Sequence, residues 1–216
     1  MFVTFEGLDF SGKTTQAQRL VEKLKRSQGG GEEARPGILF LREPGGTRIS
    51  ERLRDILLDK KHLEMCDLTE LLLFSASRAQ LVSEVILPAL ARNEIVICDR
   101  FYDSTTAYQG FGRGLDLEAI CRINAIATAG TVPGLTFLVD IAVDEVERRK
   151  KAAGLVFDRM ESAGKAFYER VRSGYQTLAR QEPDRVILVN GMAPVDDVEN
   201  EIWNHFINKQ RKWKRS

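Results

Sequence analysis

The string Gly7-Leu8-Asp9-Phe10-Ser11-Gly12-Lys13-Thr14 constrains this chain more than any other feature. It fits G-x-x-x-x-G-K-[ST], whose glycines let the backbone curl until successive N–H groups face inward around phosphate oxygens. That geometry requires a strand before the loop and a helix after it. Phe2 to Glu6 is a short apolar run that stops at Gly7, and it reads as a buried strand. Thr14 to Ser27 carries Ala17, Leu20, Val21 and Leu24 at helical spacing. A chance match is expected in about one chain in a hundred of this length. With the flanking elements in place, the string reads as a nucleoside-triphosphate site. The helix dipole adds to it, Lys13 can reach the β- and γ-phosphates, and the Thr14 hydroxyl can ligate Mg²⁺.

The rest of the chain repeats the alternation of strand and helix. Ile38–Leu41, Ile95–Cys98, Leu135–Val139 and Val186–Val189 read as further short buried strands. Helices are expected over Arg48–Leu58, Asp67–Ala91 (interrupted or ended near Pro88), Leu117–Thr128, Val143–Ala152, Ser162–Arg180 and Val195–Ile207. This pattern predicts an α/β three-layer sandwich of the P-loop NTPase type, a five-stranded parallel sheet with helices on both faces. Ligands then bind at the carboxyl ends of the strands. At 216 residues the chain reads as a single domain, 1–216, with a basic tail at 209–216 that reads as a solvated end.

Composition narrows the class. Apolar residues are 43% and charged residues 29%, which excludes disordered and low-complexity chains. The 32 basic and 31 acidic residues nearly cancel, so no nucleic-acid or membrane partner is expected. Cys66, Cys98 and Cys121 lack the spacing of a disulfide framework or a zinc site. No apolar run approaches the ~18 residues of a membrane span. The N-terminus lacks a basic n-region and a cleavage site, so the expected location is cytoplasmic.

A phosphate loop alone leaves open an ATPase, a GTPase switch or a small-molecule kinase. The Asn-Lys-x-Asp guanine reader is absent. Asp99 and Arg100 follow the third strand at the sheet edge that carries the loop, where Asp99 could face Mg²⁺ or its waters. Arg42-Glu43-Pro44-Gly45-Gly46-Thr47 follows the second strand. Phe74 and Arg78 are four apart, on one helical face. Taken alone they read as a core aromatic and a surface cation, but such a pair could also grip a planar base. Ser104-Thr105-Thr106-Ala107-Tyr108-Gln109-Gly110 supplies hydroxyls and an amide that can read a base edge.

Together these strings resemble bacterial thymidylate kinases, the nucleoside monophosphate kinases that convert dTMP to dTDP. The matching segments are Gly7–Thr15, Arg42–Thr47, Leu72–Gln80, Asp99–Gly110 and Asp158-Arg159-Met160-Glu161, in family order over residues 2 to about 180. The resemblance implies that Gly7, Leu8, Asp9, Phe10, Ser11, Gly12, Lys13, Thr14 and Thr15 form the ATP site. Asp9 would approach the dTMP 3′-hydroxyl, Glu43 and Pro44 would line the monophosphate pocket, and Arg54 and Arg100 would hold the 5′-phosphate. Phe74 would stack on thymine and Arg78 would bond its O4. Ser104, Thr105 and Gln109 would border the N3 edge and the methyl, with Tyr108 under the deoxyribose. Mg²⁺ would sit by Thr14 and, through water, Asp99. Asn190 and Gly191 would lie near adenine, and a homodimer is implied.

Because the acceptor is already an anionic oxygen, catalysis should be positioning and charge neutralisation, carried by Lys13, Asp9, Arg100 and lid cations. Some family members carry an arginine where this chain has Phe10. A lid at about 147–160 begins with the basic run Arg148-Arg149-Lys150-Lys151. The expectation is that Arg149 and one of the two lysines close over ATP.

Overall fold

A computed structural model describes residues 1–27, 36–154, 159 and 164–213. Five strands form one sheet: β1 (Phe2–Glu6), β2 (Ile38–Arg42), β3 (Ile95–Asp99), β4 (Leu135–Asp140) and β5 (Val186–Asn190). All pairings are parallel, in the order β2-β3-β1-β4-β5. This is the α/β architecture expected. The order reverses about β1, so the crevice at its carboxyl end is the ligand position of such sheets. Register fixes which residues meet there. Arg42 pairs with Asp99, Asp99 with Phe5, and Glu6 with Leu138.

Every residue of β1 and β3 is buried, because helices cover both faces. On one face α1 (Lys13–Ser27) and α9 (Val195–Trp213) pack Leu20, Leu24, Ile202 and Phe206 against Val3, Phe5 and Phe137. On the other, Leu81, Val82, Ile86 and Ala89 pack against Phe2, Leu41, Val96 and Cys98. The alternation Phe2 down, Val3 up follows from the period of a strand. Thr4 and Thr136 meet between the central strands and satisfy each other at 2.7 Å.

The long apolar helix expected over Asp67–Ala91 is α3 (Asp67–Leu81), a π-helical stretch Val82–Ile86, and α4 (Leu87–Ala91). The Leu87 N–H reaches back to the Val82 carbonyl, five residues away. The widening immediately precedes Pro88, which has no N–H to bond the carbonyl one turn earlier. By length and hydropathy alone this helix is the one among the described residues that could cross a membrane, contrary to the expectation that none came close. Its apolar side lies on the sheet instead, and it buries Glu70 and Arg78.

No helical period marks the residues just after Arg100. The structure has α5 (Tyr102–Thr105) running into a π-helical stretch Thr106–Gly112. The remaining helices are α2 (Arg48–Leu58), α6 (Leu117–Ala127), α7 (Val143–Ala153) and α8 (Lys165–Gln181). Of the predicted lid, 155–158 and 160 lie outside the described residues, as do 162–163 at the predicted start of α8 and 214–216 of the tail.

Candidate active site

The phosphate loop leaves β1 at Gly7, whose φ is +139°. A Cβ there would lie 2.4 Å from the Val139 carbonyl oxygen of β4, so only glycine fits. Leu8 turns into the core, which leaves its backbone alone for a ligand. Phe10 (φ +61°) and Gly12 (φ +94°) complete the curl, and α1 starts at Lys13. The Lys13 ammonium is buried against the Leu8 carbonyl and 3.9 Å from Asp9. Burial, and then the Arg100 charge, lower its pKa. Thr15, in the first turn of α1, is exposed.

The Thr14 hydroxyl donates to Asp99 Oδ2, while Asp99 Oδ1 is buried with no hydrogen-bond partner among the described residues. A hydroxyl and a carboxylate with an unsatisfied oxygen are the donors a hard cation takes. Mg²⁺ commonly uses one carboxylate, its own waters and substrate phosphates. The pair therefore fits the metal.

Arg149 belongs to α7, and its guanidinium clasps the loop from outside. It donates to the carbonyls of Phe10 (3.0 Å), Ser11 (3.3 Å) and Gly191 (3.0 Å), and Nε pairs with Glu145 at 2.5 Å. Arg148 pairs with the same carboxylate, and the Lys150 ammonium lies 5.4 Å from the Tyr168 ring centre.

Beside the loop opens a cleft of about 220 Å³. Asp9, Glu43, Pro44, Arg54, Phe74, Arg78, Arg100, Ser104, Thr105, Tyr108 and Gln109 all line it, with Lys13, Thr14 and Asp99 at the loop end. Arg100 is its central cation. Its φ of +70° is left-handed, rare for a side chain with a Cβ. The turn is held by the Arg100 N–H to Phe5 (2.9 Å) and the Phe101 N–H to Glu6 Oε1 (2.7 Å). So placed, the guanidinium donates to Asp9 (2.6 Å), Ser104 (2.9 Å), Tyr108 (3.2 Å) and Tyr175 (3.2 Å). Burial works to raise the Asp9 carboxyl, but the Arg100 and Lys13 charges and the Tyr108 hydroxyl hold it at about 2. Burial pushes the Tyr108 phenol upward, so it stays a neutral donor.

At the far end, Phe74 is half-buried and faces the cleft. Arg78 is 2% exposed, so reading it alone as a surface cation was wrong. It donates through Nε to Glu43 (2.8 Å), through Nη1 to Thr105 (2.9 Å) and Asn124 (3.4 Å), and through Nη2 to the Phe101 carbonyl (3.2 Å). Burial lifts the Glu43 carboxyl to about 7 against the pull of Arg78. Four of the five N–H groups of an arginine are engaged among the described residues, which leaves one for a ligand. Arg54 donates to the Pro44 carbonyl at 2.9 Å.

Comparison with known proteins places this geometry. The sequence model of a family described as "Thymidylate kinase" matches residues 5–202. The chain belongs to the thymidylate kinase family. Curated thymidylate kinases of Chlorobium luteolum and Prosthecochloris aestuarii are 48% and 45% identical to it. The first alignment covers 92% of each chain, the second 97% of this chain and 94% of its relative. The crystal structure of the thymidylate kinase from Ehrlichia chaffeensis superposes with a TM-score of 0.75 at 35% identity, over 95% of this chain and 97% of that one.

Within this thymidylate kinase fold, several site residues escaped sequence reasoning. Glu6 is fully buried and accepts from Ser104 (2.6 Å) and Tyr175 (3.0 Å) as well as from Phe101. Its signal was present: a carboxylate closing an apolar strand. Tyr168 and Tyr175, seven apart on one face of α8, reach Asp9 and Glu6. Glu70 is 1% exposed and gathers Gln109, Arg113 and Arg159. Arg42 and Leu58 also line the cleft.

Proposed function

We infer that this chain is an ATP:dTMP phosphotransferase. It transfers the γ-phosphoryl group of ATP to the 5′-phosphate of dTMP, giving dTDP and ADP, in the supply of dTTP for DNA synthesis. The observation that carries the reading is the single cleft joining Lys13, Thr14 and Asp99 to Arg100, Phe74, Arg78 and Gln109.

An oxygen of the dTMP phosphate attacks the γ-phosphorus. The bond to the β,γ-bridging oxygen breaks, and ADP leaves with that electron pair. The attacking oxygen is already anionic, so no general base is needed. The loop N–H groups and Lys13 hold the donor phosphates. Arg100 and Arg54 hold the acceptor phosphate, with Arg100 aimed by Asp9 and by the Glu6 turn. Thr14 and, through water, Asp99 would hold Mg²⁺, which when bound would supply positive charge to the donor phosphates. Arg149 acts on transfer by bracing the loop carbonyls and keeping one N–H for phosphate. Tyr108, sealed under the sugar position, disfavours a 2′-hydroxyl.

The exposed apolar side chains Ile49 and Ile56 on α2 and Leu68 and Leu72 on α3 support a homodimer through that face. The near-zero net charge supports a chain acting without nucleic acid or membrane, in the cytoplasm.

The test is steady-state ADP release with Mg-ATP across dTMP, dUMP, dCMP and dGMP. Turnover with dTMP is the expected result. The dUMP rate reports the methyl pocket, since one methyl is worth only about 1–3 kcal/mol. Absence of acceptor-dependent ADP from folded protein would contradict the reading and favour a nucleotide-dependent switch.

A further inference from the structure

Glu70 lies on the first turn of α3 and does not line the cleft, yet it is 1% exposed and surrounded by donors. Its Oε1 accepts from Gln109 Nε2 (2.8 Å) and Arg113 Nε (3.2 Å). Its Oε2 accepts from Arg113 Nη2 (3.1 Å) and pairs with Arg159 Nη1 (2.7 Å). Burial works to raise this carboxyl, but Arg113, Gln109 and Arg159 hold it below its ordinary value. It is an ionised carboxylate, and such a group only accepts.

That decides which way the neighbouring amide points. The Gln109 group against Glu70 must be NH₂, because a carbonyl oxygen there would face a second acceptor at hydrogen-bond distance. Gln109 is itself 2% exposed and lines the cleft, and its NH₂ is taken up by Glu70. The amide therefore offers an acceptor to a base. Arg78, across the base end, offers a donor.

Resting on the function proposed above, we propose that Glu70 is a positioning residue for base selection: it locks the Gln109 amide with its oxygen toward the base, and so rejects cytosine. Thymine and uracil present an N3–H donor and an O4 acceptor, which match Gln109 and Arg78. Cytosine presents an N3 acceptor and an N4 donor, which oppose both. A buried site built for one hydrogen-bond pattern strongly rejects the inverse one, because its own groups are left unpaired. Methyl recognition lies outside this device, which treats dTMP and dUMP alike.

The test is the ratio of kcat/KM for dTMP to that for dCMP. In Glu70→Gln the two arginines claim the single side-chain oxygen, so the new NH₂ faces Gln109 and turns its amide over. The ratio should fall about tenfold or more, because the reversed amide now suits cytosine. In a Gln109→Ala background the same substitution should leave the ratio unchanged. A parallel loss with both nucleotides, and a ratio kept within about twofold, would show a merely structural role and overturn the proposal. If Glu70→Gln does not fold, the parent protein decides. The ¹⁵N side-chain resonance of Gln109, assigned by its loss in Gln109→Ala, should show slow NH₂ exchange with and without dTMP. Fast exchange in the free protein overturns the lock. A parent protein that transfers nothing to dTMP overturns the functional reading instead, so the two failures are distinct.

Discussion

Arg149 shows how a residue legible as a cation acquires its role only from its neighbours. The sequence marks Arg148-Arg149-Lys150-Lys151 as a basic run and points to Arg149 with one lysine, without choosing between Lys150 and Lys151. In the fold, Arg149 reaches across to the phosphate loop, to the carbonyls of Phe10 and Ser11. Arg149→Ala should therefore lower kcat by about 10²-fold while the KM for dTMP changes by less than about threefold, since the loop holds donor rather than acceptor. Steady-state kinetics with each substrate varied checks this, and an unchanged kcat contradicts it. Residues in specific strings, such as Arg100 and Gln109, could be marked from the sequence. Glu70 and Tyr175 could not, because their work is to hold those residues, and long-range pairing leaves no local string; Glu6 left only the trace of a carboxylate closing an apolar strand.

At the scale of elements, the strands were the most legible part, since a doubly covered parallel sheet requires unbroken apolar runs. The helix after Arg100 was not, because Ser104–Gly110 is rich in hydroxyls, ends in a glycine and follows no helical period. Tertiary packing makes it helical. Its Phe111 ring lies against Gly174 of α8, where an added Cβ would sit 2.6 Å from Phe111 Cγ, and Gly112 lies equally close to Phe167 and Val171. Two glycines thus let the π-helical stretch and α8 approach, which brings Tyr175 to Arg100. Gly174→Ala meets the root of a ring that cannot swing away. Overpacking of this kind costs about 1–3 kcal/mol. The melting temperature should fall by several degrees, about 2–4 °C per kcal/mol at this size. Transfer activity should fall with it as Arg100 loses a partner. An unchanged melting temperature would show that the two elements have slack.

For the whole molecule, the buried polar network couples stability to pH. Burial, and then the Asp103 charge, lift Glu6 from 4.5 to about 7. The folded state thus holds this proton more tightly than the unfolded one. Stability from this group is full below about pH 4.5, falls as pH rises toward about 7, and is level above that. Melting curves of the parent and of Glu6→Gln should diverge between about pH 5 and 7, the parent losing ground as pH rises. Parallel curves would contradict the assignment. The central claim concerns chemistry, and ³¹P NMR of the protein with Mg-ATP and dTMP tests it most directly. The account predicts that dTDP and ADP resonances grow together, one for one, and that Lys13→Met abolishes both. ADP accompanied by inorganic phosphate, with no dTDP, would contradict it and make the chain an ATPase with an unused acceptor cleft.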